Sequence, residues 1–164
     1  MSEVKSVTTR LFSLDLGGCN PIRPLGFSDS NYANCSATSR SICSYCFSLD
    51  SDMVSWASHK QPHIADSSCY AKYISLHNAS HKVIFIRQLL KGLNMPLSDA
   101  MPLYCDNDTA WQLTKDQHWH SKVWHFQVKY HSTHDLVDSN ELCVFRIWSS
   151  DNTTDILTKL LTCP

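Results

Sequence analysis

The residues best suited to chemistry in this chain are three aspartates, each placed where the chain changes character. Leu103-Tyr104-Cys105 is β-compatible and runs into Asp106-Asn107, after which Ala110, Trp111, Gln112 and Leu113 are helix-compatible. A strand that delivers a carboxylate at its C-terminal end fixes the backbone and still lets the acid meet water and substrate, a good setting for a metal site. Leu25-Gly26-Phe27-Ser28-Asp29 is a second short strand that ends near an acid, and Asp155 opens a helix behind Thr153-Thr154. Taken singly, each has a plainer reading. Asp29, Asn31 and Asp106-Asn107 also suit turns at strand ends, and Asp155 suits a first-turn acid favoured by the helix dipole.

Other candidate groups are less specific. Cys43-Ser44-Tyr45-Cys46 has the spacing of a zinc or redox pair, but no second such pair follows. In a β-like run, residues i and i+3 point to opposite faces, so half-buried strand cysteines are expected. His77 and His81 stand four apart on a helical stretch without the glutamate of a zinc-protease helix. His118, His120, His125, His131 and His134 crowd one aromatic-rich stretch, again without a companion at known ligand spacing. No zinc site is expected at either place.

The elements that must position the aspartates follow from periodicity. Residues 41–49 alternate as a strand with one buried face does, Asp50-Ser51-Asp52 makes a turn, and Met53–Ser58 returns, so 25–58 reads as an antiparallel meander. After Gln61-Pro62 the period changes. Leu76, Ala79, Val83, Ile86, Leu90 and Leu93 are spaced 3, 4, 3, 4 and 3, one face of a long helix over about 69–93. Asp66, Ser67 and Ser68 are its N-cap candidates, and Gly92 and Asn94-Met95-Pro96 mark its end. A short helix is expected from Thr109 to Lys115, helical character within 118–134, a last strand over Glu141–Trp148, and a C-terminal helix carrying Ile156, Leu157, Leu160 and Leu161. Residues 1–24 read as an irregular lead-in with one short strand near Thr9–Leu14, and 25–164 as one domain.

The totals agree with a single globular domain. The chain has 164 residues, 43% hydrophobic and 18% charged, with a formal net charge of −1, so nucleic-acid binding would need a local basic patch. Lys60, Lys122, Lys129 and Lys159 are candidates for one, although solvated surface lysines explain them equally well. No apolar run approaches a membrane span, and Met1-Ser2-Glu3-Val4-Lys5 lacks the apolar core of a secretory signal. An intracellular protein of the cytoplasm or nucleus, with its eight cysteines reduced, is the expectation.

Gly26-Phe27-Ser28-Asp29-Ser30-Asn31-Tyr32-Ala33, Ser55-Trp56-Ala57-Ser58-His59-Lys60-Gln61, the intact Leu103-Tyr104-Cys105-Asp106-Asn107, His120-Ser121 through Tyr130-His131, and Thr154-Asp155-Ile156-Leu157-Thr158-Lys159 occur in this order. In residues and spacing they resemble the ribonuclease H region at the C-terminal end of copia-type retrotransposon polyproteins. The resemblance runs from about Leu25 to Leu161. It implies an α/β ribonuclease H-like fold, a mixed five-stranded sheet flanked by helices. It also implies an activity, endonucleolytic cleavage of the RNA strand of an RNA–DNA hybrid with two Mg²⁺ ions about 4 Å apart.

Mg²⁺ needs clustered hard oxygen ligands. The resemblance implies four acids, and three are carried over: Asp29, Asp106 and Asp155. The family's catalytic helix opens Ala-Leu-Ser-Ser-Thr-Glu-Ala-Glu-Tyr, whereas this chain has Ala65-Asp66-Ser67-Ser68-Cys69-Tyr70-Ala71-Lys72-Tyr73. On this alignment Tyr70 takes the place of the metal-binding glutamate and Lys72 that of the second. A phenol with a pKa of about 10 supplies no negative charge at neutral pH, and an inward lysine adds a positive one. Asp66, one turn before Tyr70, is a candidate substitute, although an N-cap explains it better; Asp108 is a second, with a solvated turn as its default. Impaired catalysis is therefore expected. The alternative is a catalytically dead relic, or a nucleic-acid-binding or interaction module, on the same fold. The family's reverse transcriptase and integrase are absent from this chain, as expected of a fragment of an old element.

Overall fold

A computed structural model describes residues 23–50, 52–114 and 127–158. The alternating first third folds as the expected meander. Its strands are β1 (Pro24–Asn31), β2 (Ile42–Leu49) and β3 (Asp52–Lys60). β1 and β2 pair antiparallel from Pro24 opposite Leu49 to Asn31 opposite Ile42. β2 and β3 pair from Ile42 opposite Lys60 to Leu49 opposite Asp52, with an irregularity between Phe47 and Ser48. Asp50 turns the chain between them at φ 55°, a left-handed conformation that aspartate tolerates better than most residues.

The long helix α1 spans Ser68–Gly92. Its buried stripe includes Leu76, Ala79, Val83, Ile86 and Leu90, the face read from the spacing. Leu93 departs from that expectation: it is the C-cap and is 56% exposed. The N-cap is Ser67, whose Oγ accepts from the Tyr70 N–H at 3.1 Å, so Asp66 is not the cap. At the other end Asn94 takes φ 59°, the left-handed turn that ends the helix, and Met95 N–H donates to Leu90 O at 2.9 Å.

β4 (Met101–Cys105) lies parallel beside β1, with Gly26 opposite Leu103 and Ser28 opposite Cys105. Asn107 then caps α2 (Asp108–Leu113), its Oδ1 accepting from Ala110 N–H at 2.7 Å. α3 (Gln127–Asp138) covers the end of the stretch expected to be helical, while residues 115–126 lie outside the described residues. β5 (Leu142–Arg146), shorter than the expected Glu141–Trp148, runs parallel to β4. A 3-10 turn (Ser149–Asp151) leads to α4 (Asp155–Thr158). The strand proposed near Thr9–Leu14 also lies outside the described residues.

The result is one mixed five-stranded sheet in the order β3-β2-β1-β4-β5. α1 packs on one face of it. Phe47, Tyr73, Leu76, Val83, Ile86, Leu90, Met101, Leu103, Leu142 and Val144 close the core between them. Gly26 is required at its place, because a Cβ there would come within 2.5 Å of the Phe47 ring and 2.9 Å of Leu103. α4 lies on the other face. There Ser44 Oγ donates to Thr154 O at 3.2 Å and Ser58 Oγ to Leu157 O at 2.7 Å. The sheet thus brings the ends of β1 and β4 side by side, with α1 and α4 flanking them.

Candidate active site

Asp29, near the end of β1, and Asp106, just past the end of β4, lie beside each other on adjacent parallel strands. Ser28 is opposite Cys105, so the next residue on each chain is an aspartate. Their side chains are only 6% and 8% exposed. Two carboxylates so close and so poorly hydrated require a compensating positive charge. Lys72 supplies it: Nζ lies 2.5 Å from both Oδ1 and Oδ2 of Asp106 and 3.3 Å from Oδ1 of Asp29. Burial pulls the Lys72 amine downward, but the Asp106 hydrogen bond and the charges of Asp29 and Asp106 outweigh it, so its pKa is raised and the amine is an ammonium at neutral pH.

α1 is held in the rotation that aims Lys72 inward. Ser75, three residues on and fully buried, places Oγ 2.5 Å from Asp29 O and 3.0 Å from Ser44 O, to which it donates. Gln61, at the end of the meander and 1% exposed, donates from Nε2 to Ala71 O at 2.9 Å and lies 2.8 Å from Cys43 Sγ. These contacts tie the first turns of the helix to β1 and β2. Residues two apart on a helix differ by about 200° in direction, so Tyr70 and Lys72 cannot both face the strand ends. The residue turned toward the carboxylates is Lys72, at the place that the alignment gives to the second glutamate. Burial and the charge of Asp66 raise the pKa of the Tyr70 phenol, which keeps it neutral. Asp66 itself is exposed and acts on Tyr70.

Asp155 opens α4 and is half-buried. It is linked to Asp29 through Thr158, whose Oγ1 lies 3.0 Å from Asp29 Oδ2 and 2.9 Å from Asp155 O. Among the described residues, no group of three or more His, Cys, Asp or Glu side chains is arranged to hold a metal ion. Asp108 pairs instead with Arg146 Nε at 2.5 Å.

Three contributors were not singled out from sequence. Ser149 Oγ donates to Asp106 Oδ2 at 2.9 Å. Asn152 Nδ2 donates to Ser28 O at 3.1 Å, while its Oδ1 accepts from Thr154 N–H at 3.2 Å and from Thr154 Oγ1 at 2.6 Å, which fixes the approach to α4. Asn152-Thr153-Thr154 is a recognisable turn signal and could have revealed Asn152. Nothing local distinguishes Ser149 or Thr158.

The remaining sequence candidates lie elsewhere. Cys43 and Cys46 are buried on β2, more deeply than the half-burial expected. His77 contacts Thr133 through Nδ1 at 3.2 Å and packs edge-on against His81, while His134 pairs with Asp138 at 3.3 Å. His118, His120, His125, Lys122 and Lys159 fall outside the described residues. Lys60 ends β3 and is exposed.

No protein-family model matches the chain. Curated relatives do. The chain is 30% identical over 148 residues to the retrovirus-related Pol polyprotein from transposon TNT 1-94 of Nicotiana tabacum, covering 90% of this chain. It is 33% identical over 135 residues to the corresponding polyproteins of transposons RE2 and RE1 of Arabidopsis thaliana, covering 82% of this chain. The chain spans about a tenth of these relatives' length, 11% of the first and 9% of the other two. Among solved structures, LC11-RNase H1 isolated from compost superposes with a TM-score of 0.62 at 12% identity, over 82% of this chain and 91% of that one. RNase H1 from Halobacterium salinarum superposes with 0.58 at 11%, over 79% and 89%. LC11-RNase H1 in complex with an RNA/DNA hybrid also gives 0.58, at 8%, over 83% and 93%. No helix of the described residues is long and apolar enough to cross a membrane. With its sheet order, its paired strand-end aspartates and these likenesses, the chain is a homologue of a segment of the Pol polyproteins of copia-type retrotransposons, built on the ribonuclease H fold.

Proposed function

We propose that residues 25–164 form a ribonuclease H-type domain of such a polyprotein, an intracellular module shaped for RNA/DNA hybrid, in which hydrolysis is silenced at one position of α1. The hybrid is suggested by the structurally similar LC11-RNase H1, solved in complex with one. The observation that carries the silencing is the Lys72 ammonium on both oxygens of Asp106 and on Asp29.

Mg²⁺ is the metal that the fold family implies. It is bound at about 2.0–2.1 Å by oxygens with free lone pairs. Here the Asp106 carboxylate is bridged by Lys72 and also accepts from Ser149, while Asp29 accepts from Lys72 and Thr158. A divalent ion entering this place would meet a fixed positive charge. The side chains described at this place, with an ammonium already on the carboxylates, do not fit it.

The test is cleavage of a labelled RNA/DNA hybrid in Mg²⁺ or Mn²⁺ by nuclease-free wild type, Lys72→Glu, and Lys72→Glu with Asp106→Asn. Wild type is expected not to cut. Lys72→Glu is expected to cut at least about 100-fold faster than wild type, and the added Asp106→Asn to abolish this. Wild-type cleavage that Asp106→Asn removes would overturn silencing. Failure of Lys72→Glu to cut would show that the lesion extends beyond this helix position.

A further inference from the structure

We infer that Lys72 is a tethered counter-cation: its ammonium does for the Asp29–Asp106 pair what a bound metal ion does in a carboxylate site, so the fold is complete without divalent metal, and removing the ammonium uncovers a cation-binding site. The inference deepens the reading above and rests on it for the identity of the site, but it concerns stability and metal binding rather than cleavage.

The geometry carries it. The carboxylates are 6% and 8% exposed, too poorly hydrated to tolerate mutual repulsion unaided. Nζ is within hydrogen-bond reach of three of their four oxygens. The fourth, Asp29 Oδ2, accepts from Thr158, and Asp106 Oδ2 accepts additionally from Ser149. Every carboxylate oxygen is thus met by a donor, and the only positive charge in the set is Lys72. Its position is built rather than incidental, since Ser75 and Gln61 hold α1 against β1 and β2 on either side of it. Without the ammonium, two convergent carboxylates and two hydroxyls would face a space left by a cationic side chain, an all-oxygen donor set of the kind hard divalent ions select.

The experiment is thermal unfolding of purified protein in EDTA and in millimolar Mg²⁺ or Mn²⁺, with Mn²⁺ binding read independently by electron paramagnetic resonance. Wild type is expected to melt at the same temperature in all three and to bind no Mn²⁺ at this site. Lys72→Gln is expected to melt roughly 5–10 °C lower in EDTA and to recover part of that loss in Mn²⁺, with Mn²⁺ bound. Lys72→Gln with Asp106→Asn, which removes both charges, is expected to regain stability in EDTA and to ignore metal. The inference is overturned if Lys72→Gln melts with wild type in EDTA, or if wild type gains as much from Mn²⁺ as the variant. If Lys72→Gln does not fold under any condition, the double variant decides: folded and metal-blind supports the inference, unfolded overturns it. Hybrid cleavage enters none of these readouts, so failure here and failure of silencing are told apart.

Discussion

Two cysteines show how place sets the chemistry of one side-chain type. Cys35 sits in the connection between β1 and β2. Hydrogen bonds from Lys60 and then Thr38 pull its thiol down to about 6, against a small opposing effect of burial. Cys105, at the end of β4 in the core, is pushed up to about 11, chiefly by burial. A thiol reacts as its thiolate. At neutral pH Cys35 is therefore mostly ionised and Cys105 is protonated. Brief iodoacetamide treatment of the folded protein, read by peptide mapping, is expected to alkylate Cys35 well ahead of Cys43, Cys46 and Cys105. Its rate should level off above neutral pH instead of rising into the alkaline range. A Cys35 rate that keeps climbing in proportion to hydroxide would contradict the Lys60 contact, and Lys60→Gln should produce that behaviour.

At the scale of the element, α1 decides what the site is. Its N-terminus depends on Ser67, so Ser67→Ala is expected to cost about 1 kcal/mol, read as a shift of the urea midpoint at unchanged slope. Ser75→Ala removes the donor shared between Asp29 O and Ser44 O at a fully buried position and is expected to cost about 1–3 kcal/mol. A result near zero would mean that core packing alone sets the helix rotation. The sequence made much of this helix legible. The spacing of Leu76, Ala79, Val83, Ile86 and Leu90 gave its buried face, and Asn94-Met95-Pro96 its end. It also carried a clue to the orientation of Lys72. Lys72 stands four residues before Leu76 and so continues the buried stripe, whereas Tyr70 stands six before and does not. Extending the period one turn toward the N-terminus turns Lys72 toward the strands. The hydroxyl partners Ser149 and Thr158 had no such clue, because they reach Asp106 and Asp29 from 43 and 129 residues away. Only the closed sheet makes them neighbours.

At the scale of the molecule, one core joins the strands that carry the two aspartates to the helix that carries Lys72. β4 is flanked by β1 and β5, and Leu103 at its centre is fully buried, packed under Gly26 of β1 and within the cluster that α1 closes. The strands that carry Asp29 and Asp106 are therefore coupled to the helix that carries Lys72 through shared side chains and not only through the ion pair. Leu103→Ala is expected to cost about 2–5 kcal/mol. For a chain of this size each kcal/mol is worth about 2–4 °C, so melting should fall by roughly 4–20 °C. Because the core is shared, far-ultraviolet and near-ultraviolet circular dichroism should be lost together in one transition, in the variant as in the wild type. Gly26→Ala acts on the same contact by overpacking Phe47 and Leu103, at about 1–3 kcal/mol, and should also leave a single transition. Two separated transitions in either variant would mean that the antiparallel β1–β3 meander and the parallel β4–β5 half fold as independent units. In that case the geometry between Asp29 and Asp106 would depend on the Lys72 bridge itself, and Lys72→Gln would scatter the carboxylates rather than uncover a site for a cation.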